Sequence, residues 1–370
     1  MFRRDDFVVV GAGFAGAVCA ERLAHAGFRV RVVENRPHVG GNAFDRLDAH
    51  GRLIHPYGPH IFHTNSEKVF GYLSRFTEWR FYEHRVLACL DGVLYPFPIN
   101  ITTLNRLYGL DLDERGAEAW LERVRESISP VTNSEEVVLN RVGRDLCEKF
   151  FSGYTRKHWG RELKDLSPSV AARIPVRTNF DDRYFTDIWQ FMPAQGYTAL
   201  FERMLDHPQI NVELGVDYFL ESHRLQPQLG LIYTGPIDAY FNYSAGRLGY
   251  RSLRFEHLHE ADCERLQAVG TVNYPSTEPY TRVTEFKHLT GERGRGTSLV
   301  REYPSAEGEP FYPIPNEEYE ARFQKYREMA RGIANVKFVG RLAQYRYFNM
   351  DQVVAAALAC IEDLLGNRGP

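Results

Sequence analysis

Three glycines near the N-terminus, in Gly11-Ala12-Gly13-Phe14-Ala15-Gly16, are spaced to hold a pyrophosphate. The first permits a tight turn after a strand, the second lets backbone approach a ligand, and the third lets the following helix pack on the sheet. A helix that starts behind such a turn offers free N–H groups and the positive end of its dipole to an anion. Glu34 closes the next apolar run, where a carboxylate would take ribose hydroxyls. Together these residues predict a dinucleotide site rather than a glycine-rich turn with no ligand. His60 and His63 form an H-x-x-H, but on a strand those two rings face opposite sides, and no cysteine or third ligand lies near, so no metal site is expected. Cys19, Cys89, Cys147, Cys263 and Cys360 are odd in number, widely spaced and without a C-x-x-C. They read as reduced thiols of a cytoplasmic protein.

The elements that must position these groups follow from hydrophobic patterning. Phe7–Val10 is a short apolar run ending at glycine, as in a buried parallel strand. Gly11 to Gly27 follows as a helix with Ala15, Cys19, Leu23 and Ala26 on one face, and Arg29–Val33 is the second strand of a βαβ unit. Between residues 100 and 170 Glu, Arg and Leu dominate, with helical spacing in Gly116–Ile128 and Ser134–Phe151. Residues 176–330 turn to short Tyr/Phe/Val/Thr runs separated by Gly and Pro, which predicts an antiparallel sheet. Lys337–Val339 reads as a strand entering Gly340. Met350–Leu365 reads as an amphipathic helix, capped by Asn349 or Asp351 and stopped by Gly366.

The 370 residues suffice for two or three domains. A net charge of −3 gives no global basic field for nucleic acid or acidic lipid, while leaving room for a local phosphate site. The longest apolar run, Val353–Ile361, falls far short of the roughly 18 residues of a membrane span. Met1 to Asp6 leads straight into a strand without a signal-peptide core, so a cytoplasmic location is expected. The 21 Tyr and 24 Phe serve either as core and edge-strand filling or, beside arginines, as a holder for a nucleotide base and sugar.

After Glu34, the stretch Asn35-Arg36-Pro37-His38-Val39-Gly40-Gly41-Asn42 resembles the flavoprotein continuation, in which a second loop covers the FAD pyrophosphate. Gly340-Arg341 and a helix starting near Met350 resemble the FAD-family arrangement that places another helix N-terminus at the flavin. The cofactor contacts implied are Gly11, Gly13, Phe14, Gly16, Glu34, Asn35, Gly41, Asn42, Gly340, Arg341 and Met350, with FAD favoured over NAD. Beyond that, Tyr57-Gly58-Pro59-His60-Ile61-Phe62-His63-Thr64, Gly153–Gly160, Arg173–Arg177, Tyr233–Asp238, Pro279–Arg282 and Gly340–Ala343 resemble bacterial UDP-galactopyranose mutases, in the same order from first strand to last helix. The fold implied is α/β: a Rossmann-type FAD-binding domain (1–80, 230–250 and 331–370), a helical insertion domain with a mobile substrate loop (100–175), and an antiparallel β-sheet domain (81–99, 176–229 and 251–330). The activity implied is interconversion of UDP-galactopyranose and UDP-galactofuranose, for surface polysaccharide. In that family reduced flavin N5 attacks the anomeric carbon and displaces UDP, the adduct opens through an iminium, and O4 recloses the ring. NAD(P)H or another reductant, and a homo-oligomer, are implied as partners.

The resemblance also assigns site residues. Arg173 and Arg282 match two diphosphate arginines, a task suited to permanently charged bidentate donors. Tyr154 and Thr155 match uridine-holding positions, with Phe151 behind them; core packing of a helix is the other use open to Tyr154, and more so to Phe151. Trp159 matches a tryptophan on the mobile loop that runs to Arg173, and Asn273 a uridine or ribose contact. Tyr184, Tyr312 and Tyr347 match tyrosines that bond the diphosphate, and His63 a residue at the flavin face. His84 reads as a core or surface histidine. Asn349 stands where many members carry Asp, and Phe348 where they often carry Tyr, so positioning rather than proton transfer is expected of Asn349. Other readings are a mutase of UDP-N-acetylgalactosamine or a dTDP-6-deoxyhexose, a flavin oxidoreductase, and a non-catalytic nucleotide-sugar-binding relative.

Overall fold

The computed structural model describes residues 5–366; Met1–Arg4, the start of the segment read above as having no signal-peptide core, lies outside them. A five-stranded parallel sheet runs in the order Ile210–Leu214, Val30–Glu34, Phe7–Val10, Gly230–Tyr233 and Val336–Phe338. Phe7, Val8 and Val9 are buried on both faces, as a central parallel strand requires. The helix Phe14–His25 lies on one face, packed against Met350–Gly366 and Gly196–Leu205. Gly11 turns the chain between strand and helix at φ +100°, with Thr234 where a side chain would stand. A Cβ on Gly16 would run into the Gly11 carbonyl oxygen, so glycine alone lets this helix sit so close to the strand it follows.

A seven-stranded, mainly antiparallel sheet holds Tyr312–Pro313, Tyr250–Glu260, Thr297–Ser305, Arg282–Glu285, Thr271–Asn273, Val86–Leu90 and Val93–Phe97, in that order. The helices Ile101–Tyr108, Glu114–Val124 and Ser134–Leu146 cluster beside its far edge, and Gly153–Trp159 follows them with Trp159 against Tyr312. Asp113 caps the second of these by accepting from Gly116 N at 2.7 Å, so that helix starts slightly earlier, and ends earlier, than Gly116–Ile128. Ser134–Phe151 is not one regular helix. Gly143 leaves helical geometry at φ +75° where it passes the Val124 carbonyl, and Cys147–Ser152 is a π-turn.

The segment 176–229, expected in the antiparallel sheet, divides. Ile210–Leu214 pairs parallel with Val30–Glu34, and Gly196–Leu205 packs under the nucleotide-binding helix. Trp189–Pro193 forms the centre of a separate three-stranded sheet between Phe62–Thr64 and Trp79–Phe81. Short Tyr/Phe/Val runs reveal a strand but not its partner, because pairing is decided by contacts far along the chain.

Gly16→Ala should lower stability by ~1–3 kcal/mol, the usual cost of overpacking, and weaken cofactor retention, read by urea unfolding and cofactor content. Gly71, inside the helix Glu67–Leu73, has open space at its Cβ position, so Gly71→Ala should raise stability by ~0.5–1 kcal/mol in the same assay.

Candidate active site

A cavity of ≈ 460 Å³ opens at the C-terminal edge of the parallel sheet, lined by Gly11, Gly13, Phe14, Glu34, Asn35, Gly41, Asn42, Gly340, Arg341 and Met350 among others. Gly13 is the N-cap of the first helix and supplies no side-chain acceptor, which leaves N–H groups free for an anion. A Cβ there would meet no protein atom closer than 3.7 Å. Protein packing therefore does not demand glycine at this position, whereas a ligand lying on the backbone would. Glu34 accepts from Ala12 N (2.8 Å) and Arg36 N (3.0 Å), so it ties the glycine turn to the second strand while bordering the cavity. The second glycine pair, Gly40 and Gly41, folds back with Gly41 against Gly13. Gly16 lines no part of the cavity among the described residues; its place is the helix–strand contact.

Asn42, His60, Phe311, Arg341 and Met350 also border a second cleft of ≈ 220 Å³, so the two are continuous. Tyr154, Arg173, Tyr184, Asn273, Arg282, Tyr312, Tyr347, Asn349 and His63 all line this cleft. Arg282 places Nε 2.8 Å from Glu302, which is 1% exposed, and burial pushes the Glu302 carboxyl up while Arg282 pulls it down. Arg173 donates to Asn349 Oδ1 at 2.6 Å and lies 4.2 Å over the Tyr347 ring. Asn349 thus holds an arginine. Arg341 donates to the Phe348 carbonyl (2.6 Å) and lies 5.6 Å from the Tyr347 ring. Three guanidinium groups and one carboxylate line the cleft, so even with Glu302 ionised it is positive in a chain of net charge −3.

The aromatic wall is continuous. Tyr154 stacks on His158, which stacks on Tyr312 (5.6 and 5.0 Å), and Tyr312 meets Tyr347 edge-on at 5.4 Å. Phe151, Thr155 and Trp159 do not border the cleft. Phe151 packs into the helical core against Phe97, Thr155 is buried on its helix, and Trp159 supports Tyr312 and Tyr347 from behind. The helix Gly153–Trp159 turns Tyr154 to the cleft and Thr155 and Trp159 inward, while Phe151 lies in the preceding π-turn. Arg251 fastens its C-terminal end by donating to the His158 and Lys157 carbonyls at 2.9 and 3.2 Å.

Sequence reasoning missed Glu302, Phe185 and Phe311, and ranked His84 low, yet all four line the cleft. Glu302 stands opposite Arg282 in the strand register, a pairing that no local pattern announces. Desolvation of the part-buried His60 and the buried His84 depresses each to about 3 and keeps both neutral. Among the described residues no group of three or more His, Cys, Asp or Glu could hold a metal ion, and no helix is long and apolar enough to cross a membrane. The cysteines are free.

Fold and site define a Rossmann-type enzyme whose dinucleotide cavity opens into an arginine- and tyrosine-lined cleft. Residues 9–76 match the NAD(P)-binding Rossmann-like domain, and residues 149–347 match the UDP-galactopyranose mutase family. A probable UDP-galactopyranose mutase from Klebsiella pneumoniae is 39% identical, over 98% of this chain and 95% of its own. A dTDP-fucopyranose mutase from Escherichia coli is 36% identical, over 98% and 99%. The solved structure of a reduced UDP-galactopyranose mutase superposes with a TM-score of 0.80 at 18% identity, covering 99% of this chain and 94% of that one. The chain belongs to the UDP-galactopyranose mutase family of isomerases.

Burial also holds His55 at about 3. For His55, His60 and His84 the folded pKa lies below the ordinary 6.5 of the unfolded chain, so the unfolded state binds more protons between the two values. Their contribution is complete above 6.5 and is lost as pH falls toward about 3, at ~1.4 kcal/mol per pH unit for each imidazole. Denaturant midpoints should therefore fall across that window, and His84→Asn should flatten the slope. An unchanged slope in the variant contradicts the assignment.

Proposed function

We propose that the chain binds FAD in the larger cavity and, with the flavin reduced, interconverts UDP-galactopyranose and UDP-galactofuranose through a covalent flavin N5–sugar adduct, without net redox change. The observation that carries this reading is the placement of Arg173 and Arg282 in a cleft continuous with the dinucleotide cavity. A leaving diphosphate that must later return needs such charge-assisted donors to hold it. Reduced flavin supplies an electron-rich N5 as nucleophile at the anomeric carbon.

The chain's own residues do the rest. Gly13 and the open helix N-terminus accept the cofactor pyrophosphate, and Glu34 fixes the turn that presents them. Arg173 and Arg282 hold the substrate diphosphate, with Tyr184, Tyr312 and Tyr347 donating hydroxyl bonds beside them. Tyr154 and Asn273 line the cleft for the base and ribose. Asn349 sets Arg173 in place without offering a proton. A reductant such as NAD(P)H primes the cofactor once and is not consumed per turnover. The free cysteines fit a reducing cytoplasm. The E. coli dTDP-fucopyranose relative, matched over nearly the whole of both chains, favours a second reading: the same ring contraction on a dTDP-6-deoxyhexose.

The purified protein should be yellow. With dithionite it should convert UDP-galactofuranose to UDP-galactopyranose without consuming reductant stoichiometrically. Oxidised FAD or 5-deaza-FAD should bind and give no turnover; equal activity with either rejects the adduct. Parallel assays with dTDP-fucofuranose decide between the two sugars.

Arg173→Ala and Arg282→Ala should each lower kcat/KM at least ~100-fold with flavin content unchanged. Near-wild-type activity in either variant removes that arginine from the diphosphate site.

A further inference from the structure

Asp187 lies just before the strand Trp189–Pro193, which pairs antiparallel with Phe62–Thr64 in the register His63 opposite Gln190. This brings Asp187 Oδ2 to 2.9 Å from His63 Nδ1. Asp187 Oδ1 accepts from Asn65 Nδ2 at 3.0 Å, and Asn65 Oδ1 accepts from Ile188 N at 2.9 Å, so the carboxylate is fixed at both oxygens. Phe185 fixes the imidazole plane by stacking on it at 3.6 Å. The His63 side chain is 11% exposed and borders the cleft that holds Arg282. Its Nε2 meets no protein partner among the described residues and is not among the sealed polar atoms.

An ionised carboxylate can only accept, so His63 Nδ1 carries a hydrogen and Nε2 is the nitrogen that gains or loses a proton. His84, on the same cleft, is arranged the other way. The Tyr82 hydroxyl lies 2.9 Å from His84 Nδ1 and has no other partner among the described residues, so its hydrogen is satisfied only by donation to that nitrogen. His84 Nε2 is then a fixed N–H donor. His60 uses Nδ1 on the Gly58 carbonyl. Of the three histidines lining the cleft, only His63 has a carboxylate to stabilise an imidazolium.

We propose that His63 is the proton shuttle of the ring contraction and that Asp187 is the positioning residue that sets its tautomer and orientation. This rests on the mutase reading above. In the pyranose-to-furanose direction, the C1–O5 bond breaks as the lone pair of the sugar-bearing nitrogen moves in to C1, the C1–O5 electron pair goes to O5, and O5 takes the proton from Nε2 of the His63 imidazolium. O4 then bonds to C1 as that lone pair returns to nitrogen, and the O4 proton passes to Nε2. One proton leaves His63 and one returns, so the ring contracts without a further co-reactant. Asp187 acts only through the imidazole, its other oxygen being held by Asn65.

The test uses FAD-loaded protein labelled with 15N-histidine, read by long-range 1H–15N correlation, with the His63 signals identified by their loss in His63→Gln. The wild type should hold the proton on Nδ1, and Asp187→Asn, whose amide can donate to that nitrogen, should move it to Nε2. In the dithionite-reduced assay, Asp187→Asn should lower kcat about 100-fold with KM, UDP affinity and flavin content unchanged. Adding it to His63→Gln should cause no further loss, as for residues that act as one unit. A wild-type His63 protonated at Nε2 when neutral overturns the proposal, as does a fully active Asp187→Asn or additive losses in the double variant. A wild type inert toward both UDP-galactofuranose and dTDP-fucofuranose instead overturns the mutase reading, and the shuttle with it.

Discussion

The contact between Gly16 and the carbonyl of Gly11 is the constraint on which the remaining structure rests. It lets the first helix start directly above the first strand, with its uncapped N-terminus facing the cavity. Everything that borders the cofactor cavity is arranged around that turn. Glu34 holds it from the second strand, Gly41 closes over it from the next loop, and Gly340 meets Ala15 from the C-terminal side. Segments separated by more than half the chain converge there because each must bury an apolar face against the same helix, and Met350–Gly366 does so most extensively.

Electrostatics divide the work in the adjoining cleft between permanent and switchable charge. Arginine stays protonated at any pH at which the chain folds, so Arg173, Arg282 and Arg341 give the cleft a positive field that pH does not alter. Desolvation keeps His60 and His84 neutral and so removes them from that field. Glu302 offsets Arg282 alone, leaving the other guanidinium groups to hydrogen-bond acceptors that carry no charge, the Asn349 amide and the Phe348 carbonyl. An acid at 349 would neutralise part of that positive field. Asparagine orients Arg173 and leaves its charge available.

The segment between Trp159 and Arg173 is held at both ends and along its length. At its start, Lys157 donates to the carbonyls of Glu278 and Tyr280 (2.9 and 3.1 Å), and Arg251 caps the preceding helix. At its end, Arg173 reaches Asn349 and Tyr347 across the cleft through its side chain. Between them the segment is tied to its surroundings: Ser167 N donates to the Pro315 carbonyl at 3.1 Å, Ser134 donates to the Leu166 and Ser167 carbonyls at 3.0 and 2.6 Å, and Arg141 donates to the Ile174 carbonyl at 3.0 Å.

The glycine turn, both flanking strands and the late helix were legible in the sequence, since each rests on local rules, and family motifs singled out Arg173 and Arg282, which the fold brings to one cleft. Glycine spacing reports backbone geometry, apolar period reports burial, and long unusual motifs report a family. Three things were not legible. Ile210–Leu214 joins the parallel sheet rather than the antiparallel one because strand partners are chosen by distant contacts. Trp159 and Thr155 face inward and Tyr154 outward because one short helix is packed on two sides. Glu302 against Arg282 and Asp187 against His63 are pairs made by strand register, with partners 20 and 124 positions apart. Residue type tells what chemistry a side chain can do; only the tertiary fold, by bringing remote carboxylates to an arginine and an imidazole, decided which of them are set to do it.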